Sequence, residues 1–244
     1  MTTETITCEC GVNFEWTPCD EWEFQFLRPN HCPECETRIE AKREAVVRQR
    51  KIDEISRRAR ESAHHATPAI FCATDTSHQK FNLKGWQKVN GWSPNAEKPW
   101  LGLVGETGTC KSRIAYLLAA AEIERMATAM EREPSFQFVA AYEISELVGQ
   151  LTASSFQTKD EARADLARLR DARLLLIDDL GKGRMTPAVS AEFFALIDHR
   201  YCHALPTIWT ANSLPDTFAA AMLADMAAPF AGRLNDSSRI ILFR

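Results

Sequence analysis

Residues Gly105-Glu106-Thr107-Gly108-Thr109-Cys110-Lys111-Ser112 follow directly on the apolar run Trp100-Leu101-Gly102-Leu103-Val104. Their order is that of a loop built to hold a polyphosphate between a strand and a helix. Small residues let backbone N–H groups curl around a β-phosphate, a lysine neutralises β and γ oxygens, and the next hydroxyl ligates Mg²⁺. Lys111 and Ser112 fill those last two places. Cys110 stands where the pattern calls for glycine, and its Cβ crowds a spot where backbone must approach phosphate. The following residues, Arg113 to Met130, contain no Gly or Pro and space Ile114, Leu117, Leu118, Ala121 and Met126 as a helix would.

A second run completes such a site. Arg173-Leu174-Leu175-Leu176-Ile177-Asp178-Asp179-Leu180-Gly181 is an apolar strand ending in two carboxylates, as a buried parallel strand delivers acids to the edge of a sheet. In this Walker B element Asp178 would hold Mg²⁺ through water, and Asp179 would orient or deprotonate the water attacking a γ-phosphoryl group. Pro206-Thr207-Ile208-Trp209-Thr210-Ala211-Asn212 is another strand. Asn212 is either a turn residue or a group placed to hydrogen-bond the γ-phosphate or the water. Arg233, in Ala231-Gly232-Arg233-Leu234-Asn235-Asp236, is either a surface ion-pair residue or an arginine finger offered to a neighbouring subunit's γ-phosphate.

Five of the eight cysteines fall in the first 35 residues. Cys8-x-Cys10-Gly11 and Cys32-Pro33-Glu34-Cys35 form two close pairs, the layout of two knuckles sharing one tetrahedral ion. Four soft thiolates suit Zn²⁺, and so short a segment lacks the core to fold alone. Cys19 and His31 are spare donors, either of which could replace one of the four. Residues 1–37 carry Arg28 against eight acids, a formal −7, and four thiolates on Zn²⁺ would add a further −2. Such a head repels DNA. Residues 38–66 reverse the sign, with nine basic residues against five acids in a Gly-free stretch that stops before Pro68, and the pattern predicts one long helix. Ile52, Ile55 and Ala59 give it a thin apolar stripe suited to a partner helix, while Arg48, Arg50, Lys51, Arg57, Arg58 and Arg60 could meet phosphates. A solvated connector fits the same pattern.

The elements that must position the chemistry alternate along the rest of the chain. Strands are predicted at 100–104, 136–140, 174–178, 206–211 and 239–243, with helices at 111–130, 142–151, 160–172, 188–203 and 215–227. That alternation requires a parallel sheet covered on both faces. Trp86, Trp92 and Trp100 lack an accompanying basic cluster and are expected to pack helix onto sheet rather than stack on bases. At 244 residues, 45% hydrophobic and 25% charged, the chain has room for one sizeable domain and a small one. No apolar run reaches membrane-spanning length, and the first residues are neither basic nor apolar enough for a secretion signal, so no membrane partner and a cytoplasmic location are expected. The cysteines then read as thiols and metal ligands rather than disulfides. A net charge of −4 disfavours nonspecific duplex binding by the whole surface and leaves a local channel open.

From Pro68 to Phe243 the chain resembles the AAA+ ATPases of the DnaC helicase-loader and IstB transposition-helper family. The resemblance rests on GETGTCKS, LLLIDDLG, the helix ending Ile197-Asp198-His199-Arg200-Tyr201, the strand LPTIWTAN and the AGRLND box. It implies an α/β fold of the P-loop NTPase type with a five-stranded parallel sheet, preceded here by a small zinc-ribbon-like head and a long basic helix. It implies further that Gly105 to Ser112 and Asp178 bind ATP and Mg²⁺, that Asp179 is catalytic, that Asn212 is sensor 1, and that Arg233 is the trans-acting finger. Three features depart from the family pattern: Cys110 replaces the last loop glycine, Asp179 stands where many relatives have Glu, and the chain ends at Arg244 without room for a helical lid. No sensor 2 arginine is assigned: Arg239 and Arg244 are basic residues near that end, and neither is taken for the role.

The expected organisation is a zinc head at 1–37, a basic helical linker at 38–66 and an ATPase domain at 67–244. The expected function is ATP-driven loading of a replicative helicase, with single-stranded DNA and further copies of the chain as partners and ATP at subunit interfaces. A transposition helper acting on a transposase is the first alternative. A zinc-headed adaptor whose ATP site has decayed, with Cys110 as its mark, is the second.

Overall fold

The computed structural model describes residues 3–17 and 29–243; Cys19, Arg28 and Arg244 lie outside the described residues. The chain divides into two compact units, Met1–Glu54 and Ile55–Arg244. In the first, β1 (Glu4–Thr7) and β2 (Asn13–Trp16) form an antiparallel hairpin. Its turn closes when the Gly11 N–H donates to the Cys8 carbonyl at 2.8 Å and the Cys8 N–H to the Val12 carbonyl at 2.9 Å. Gly11 takes a φ of 87° there, a conformation open to glycine without a Cβ penalty. Helix α1 (Pro33–Ala66) starts earlier than the charge pattern predicts. The Cys-Pro-Glu-Cys run itself makes the first turn, with Pro33 at the first helical position, Glu34 and Glu36 facing the positive helix end, and the Glu36 N–H bonded to the Cys32 carbonyl at 2.9 Å.

The second unit takes in α1 from Ile55 onward, then α2 (Ala69–Cys72), α3 (Leu83–Val89), β3 (Trp100–Gly105), α4 (Lys111–Met130), β4 (Phe136–Ala140), α5 (Ala141–Gln150), α6 (Phe156–Asp171), β5 (Leu174–Leu180), α7 (Pro187–Cys202), β6 (Thr207–Ala211), α8 (Pro215–Ala219), α9 (Ala224–Ser237) and β7 (Ser238–Phe243). The five long strands pair in parallel in the order β4-β5-β6-β3-β7. The predicted strands are all present and the doubly covered parallel sheet is as expected. One predicted helix is not continuous: residues 215–227 divide into α8 and the start of α9, with Leu223 extended between them. The break lets Phe218 and Met222 turn into the core, where Phe218 meets Phe230 edge-on at 6.3 Å. The AGRLND box is therefore helical.

Alternation along each strand feeds two cores. On β5, Leu175 and Ile177 pack with Ile144, Leu166, Phe193 and Leu234 on one face. Leu174 and Leu176 pack with Ile114, Leu118 and Ile123 of α4 on the other. Ala59 and Ala63 of α1 are buried in this second core, Ser56 hydrogen-bonds Thr128 at 2.9 Å, and Arg60 pairs with Glu124. Trp100 is fully buried and gives its indole N–H to the Leu205 carbonyl at 2.8 Å, while Trp86 and Trp92 pack at the edge of the second core. Gly102 makes room for its neighbour across the sheet: a Cβ there would lie 2.3 Å from the Trp209 ring.

Arg200, in the Ile197–Tyr201 motif, is a buried brace rather than a surface charge. Its guanidinium donates to the carbonyls of Leu169, Arg170, Ala172 and Pro206 and to Thr207 Oγ1 at 2.6–3.1 Å. It thereby satisfies the carbonyl end of α6 and fixes where β5 and β6 begin. Burial without a contacting carboxylate lowers its pKa to about 9, which leaves it charged at neutral pH. Among the described residues no helix is long and apolar enough to cross a membrane.

Candidate nucleotide and metal sites

Because β6 lies between β3 and β5, the loop after β3, the acids of β5 and the end of β6 all emerge at the carboxyl edge of the sheet. The loop leads into α4 through Cys110, which takes φ 67° and ψ 15°. This left-handed conformation is the one for which glycine is the default residue. The Cys110 thiol is turned to the Lys80 carbonyl at 3.5 Å, and Asn82 Nδ2 donates to the Thr109 carbonyl at 3.3 Å, so the segment before α3 braces the loop from outside. Lys111 is 5% exposed, and its Nζ donates to the Glu106 carbonyl at 2.7 Å, across the loop. Burial holds its pKa below the usual lysine range; Asp179 opposes that shift and Lys182 reinforces it.

Ser112 Oγ donates to Asp178 Oδ1 at 2.8 Å, and Thr210 Oγ1 donates to the same oxygen at 2.6 Å. Burial raises the Asp178 pKa, and these two hydroxyls pull it back down. The Thr210 oxygen also accepts the Asp179 N–H at 2.8 Å. The strand register shifts between Ile177 and Leu180, and Asp179 adopts a φ of 56°. A bulge of this kind re-aims side chains at a sheet edge, so that Asp178 meets Ser112 while Asp179 turns to the open side and pairs with Lys182 at 2.8 Å.

Thr107 to Ser112, Asp179 and Asn212 line one cavity of about 220 Å³, to which Lys182 contributes. Asp178 stands behind Ser112, and Gly105 closes the end of β3 against Phe243. A second cavity of about 400 Å³, lined by Asp75, His78, Lys80 and Phe81, shares Gly108, Cys110 and Arg113 with the first. Arg233 is not in this group. On α9 it pairs with Asp198 of α7 at 2.5 Å and lies over the Phe194 ring at 4.7 Å and the Tyr201 ring at 5.7 Å. Arg239 donates to the Lys88 carbonyl at 3.2 Å. Sequence reasoning missed Thr210 and Lys182. A hydroxyl in an otherwise apolar strand beside the acidic one, and a base three residues past Asp179, were the available signals.

In the first unit the ligand atoms of Cys8, Cys10, Cys32 and Cys35 lie within 4.8 Å of one another, and His31 is outside the group. Cys8, Cys32 and Cys35 are buried and Cys10 is exposed. Backbone donors from Cys10 and Cys32 lower the Cys8 pKa to about 6, while the neighbouring sulfurs, Cys10 first, push Cys35 up. One thiolate forms readily and the crowding of the sulfurs opposes further ones, the donor set that a thiophilic cation of tetrahedral preference fits. Arg38 Nη2 donates to the Cys35 sulfur at 3.3 Å and offsets part of that charge.

A family model described as IstB-like ATP binding protein matches residues 38–240. Among solved structures, DnaI is similar at a TM-score of 0.50 and 20% identity, over 75% of this chain and 90% of that one. The DnaC helicase loader gives 0.47 and 16%, over 71% and 96%. AMPPCP-bound DnaA from Aquifex aeolicus gives 0.46 and 15% over 67% of this chain, which spans 44% of the DnaA chain. No curated protein matches. The expected α/β fold on a five-stranded parallel sheet is present.

Proposed function

Because the chain belongs to the family of IstB-like ATP-binding proteins, we propose that it binds and hydrolyses ATP in the cavity at the carboxyl edge of its sheet and uses the cycle to act on a protein partner at DNA. The observation that carries this reading is the convergence of Lys111, Ser112, Asp179 and Asn212, from three separate elements, on one cavity backed by Asp178. Loop N–H groups and Lys111 bind the β and γ phosphates. Ser112 and Asp178, already sharing a hydrogen bond, would hold Mg²⁺, whose charge would offset that of the phosphate oxygens. Asp179 orients the attacking water and Asn212 fixes it or the γ-phosphate. Arg233, which does not line its own subunit's cavity, is the candidate finger for a neighbour's. The four cysteines of the head would hold one Zn²⁺, a structural ion that closes the hairpin onto the start of α1.

For the partner we propose a replicative helicase, delivered to single-stranded DNA by an oligomer of this chain with the head and basic helix as the contact region. The motif set shared with helicase loaders supports this. The match to the IstB-like family favours a transposase instead, as a second reading. The decayed-site adaptor draws on Cys110 alone, and the seating of Lys111 and Ser112 speaks against it. Affinity capture with the full chain and with a Cys32→Ser/Cys35→Ser chain tests the proposal. A hexameric helicase retained by the first and lost by the second is the expected result. A transposase in its place decides for the second reading, and ATP-independent capture of either decides for the adaptor.

A further inference from the structure

Lys182 stands in the turn between Gly181 and Gly183, three residues beyond Asp179, and lines the same cavity as Lys111, Asp179 and Asn212. Its Nζ donates to Asp179 Oδ2 at 2.8 Å, so its partner is the carboxylate assigned to the attacking water. It is also near enough to Lys111 for its charge to disfavour the Lys111 ammonium. Two ammonium groups from different elements thus face one small cavity. A carboxylate held by an ammonium is a weakened acceptor for a water proton, and a terminal phosphate with several anionic oxygens is a stronger partner for that ammonium than one carboxylate. The lysine can make the exchange: its side chain is 51% exposed, its stem is flexible, and both flanking glycines hold positive φ, 94° and 122°.

We propose that Lys182 reads the γ-phosphate. Without a triphosphate it holds Asp179; when one enters, it moves to the γ oxygens and leaves Asp179 to the attacking water. A diphosphate lacks the group that draws Lys182 away and leaves the pair in place. The inference rests on the ATPase reading of the same cavity. Calorimetric titration of the full chain with AMPPCP and with ADP tests it, in wild type, Lys182→Ala and Lys182→Arg. Loss of one charge-assisted contact predicts about tenfold weaker AMPPCP binding in Lys182→Ala, with ADP binding within about twofold and most of the loss restored by Lys182→Arg. Parallel weakening of both nucleotides, or no weakening of either, would overturn the role of Lys182 while leaving the ATP site standing. Wild-type protein that binds neither nucleotide would overturn the ATPase reading and the inference with it.

Discussion

Thr210→Val removes one hydroxyl from the back of the site and keeps the side chain's shape. Thr210 is fully buried, so no water replaces what it loses. The Asp179 N–H loses its acceptor, a buried orphan worth about 1–3 kcal/mol, and Asp178 loses one of two hydroxyl donors, worth about 1.5–3 kcal/mol for a charged acceptor. Ser112 remains on Asp178, and the bulge at Asp179 can relax, so the combined cost is placed near the low end, at roughly 3 kcal/mol. For a chain of this size that lowers the melting temperature by roughly 6–12 °C. Thr210→Ser keeps the hydroxyl and costs about 1 kcal/mol. The Asp178 part has a pH signature. The Thr210 bond stabilises the ionised carboxylate, so its contribution is present above the folded pKa of Asp178, itself raised by burial, and fades as pH falls through that value. The Val–Ser difference, measured by thermal melting, therefore shrinks on acidification. A Val variant that melts within about 1 °C of the Ser variant at neutral pH would refute the reasoning.

Cys110→Gly releases a non-glycine residue from the left-handed region and should tighten ATP binding about fivefold, on the order of a kcal/mol, by calorimetry; unchanged affinity and turnover would mean the loop already accommodates the thiol. Protein purified without chelator should carry one Zn²⁺ per chain by metal analysis, Cys32→Ser should carry none, and chelation should leave the melting of residues 55–244 unchanged, because in so small a module metal binding and folding share one free energy; metal-free wild type would refute the zinc assignment. Asp179→Asn and Arg233→Ala chains, each inactive alone, should recover ATPase activity when mixed. Absence of rescue in a mixture shown to co-assemble would leave Arg233 with a structural role in its own subunit, paired with Asp198.

The sheet was legible because each strand is a short apolar run and each helix a gap-free periodic stretch. The loop and the two acids were legible because phosphate chemistry leaves few choices of residue at those positions. The division of 215–227 was not, since Phe218 and Met222 keep a helical spacing and only their packing on Phe230 shows that the chain turns. Arg200 and Thr210 were illegible for a related reason. A lone arginine at a helix end and a threonine in a strand are ordinary on a surface, and their roles arise from carbonyls and carboxylates that β-strand order brings to them from distant parts of the chain. The head's start of helix was missed because the charge pattern begins at Arg38 while Pro33 and the two acids, not the bases, nucleate the first turn.

If the cavity is a working ATP site, Lys111 is a ligand of the bound nucleotide. Titration of ATP with Mg²⁺ into wild-type and Lys111→Ala protein tests it most directly, with thermal melting of both as the control for folding. Wild type should bind saturably, the variant at least about tenfold more weakly, and melting should change little, because replacing a cation that burial disfavours removes a penalty along with its bond to Glu106. Equal binding by the two proteins, or none by wild type, would contradict it.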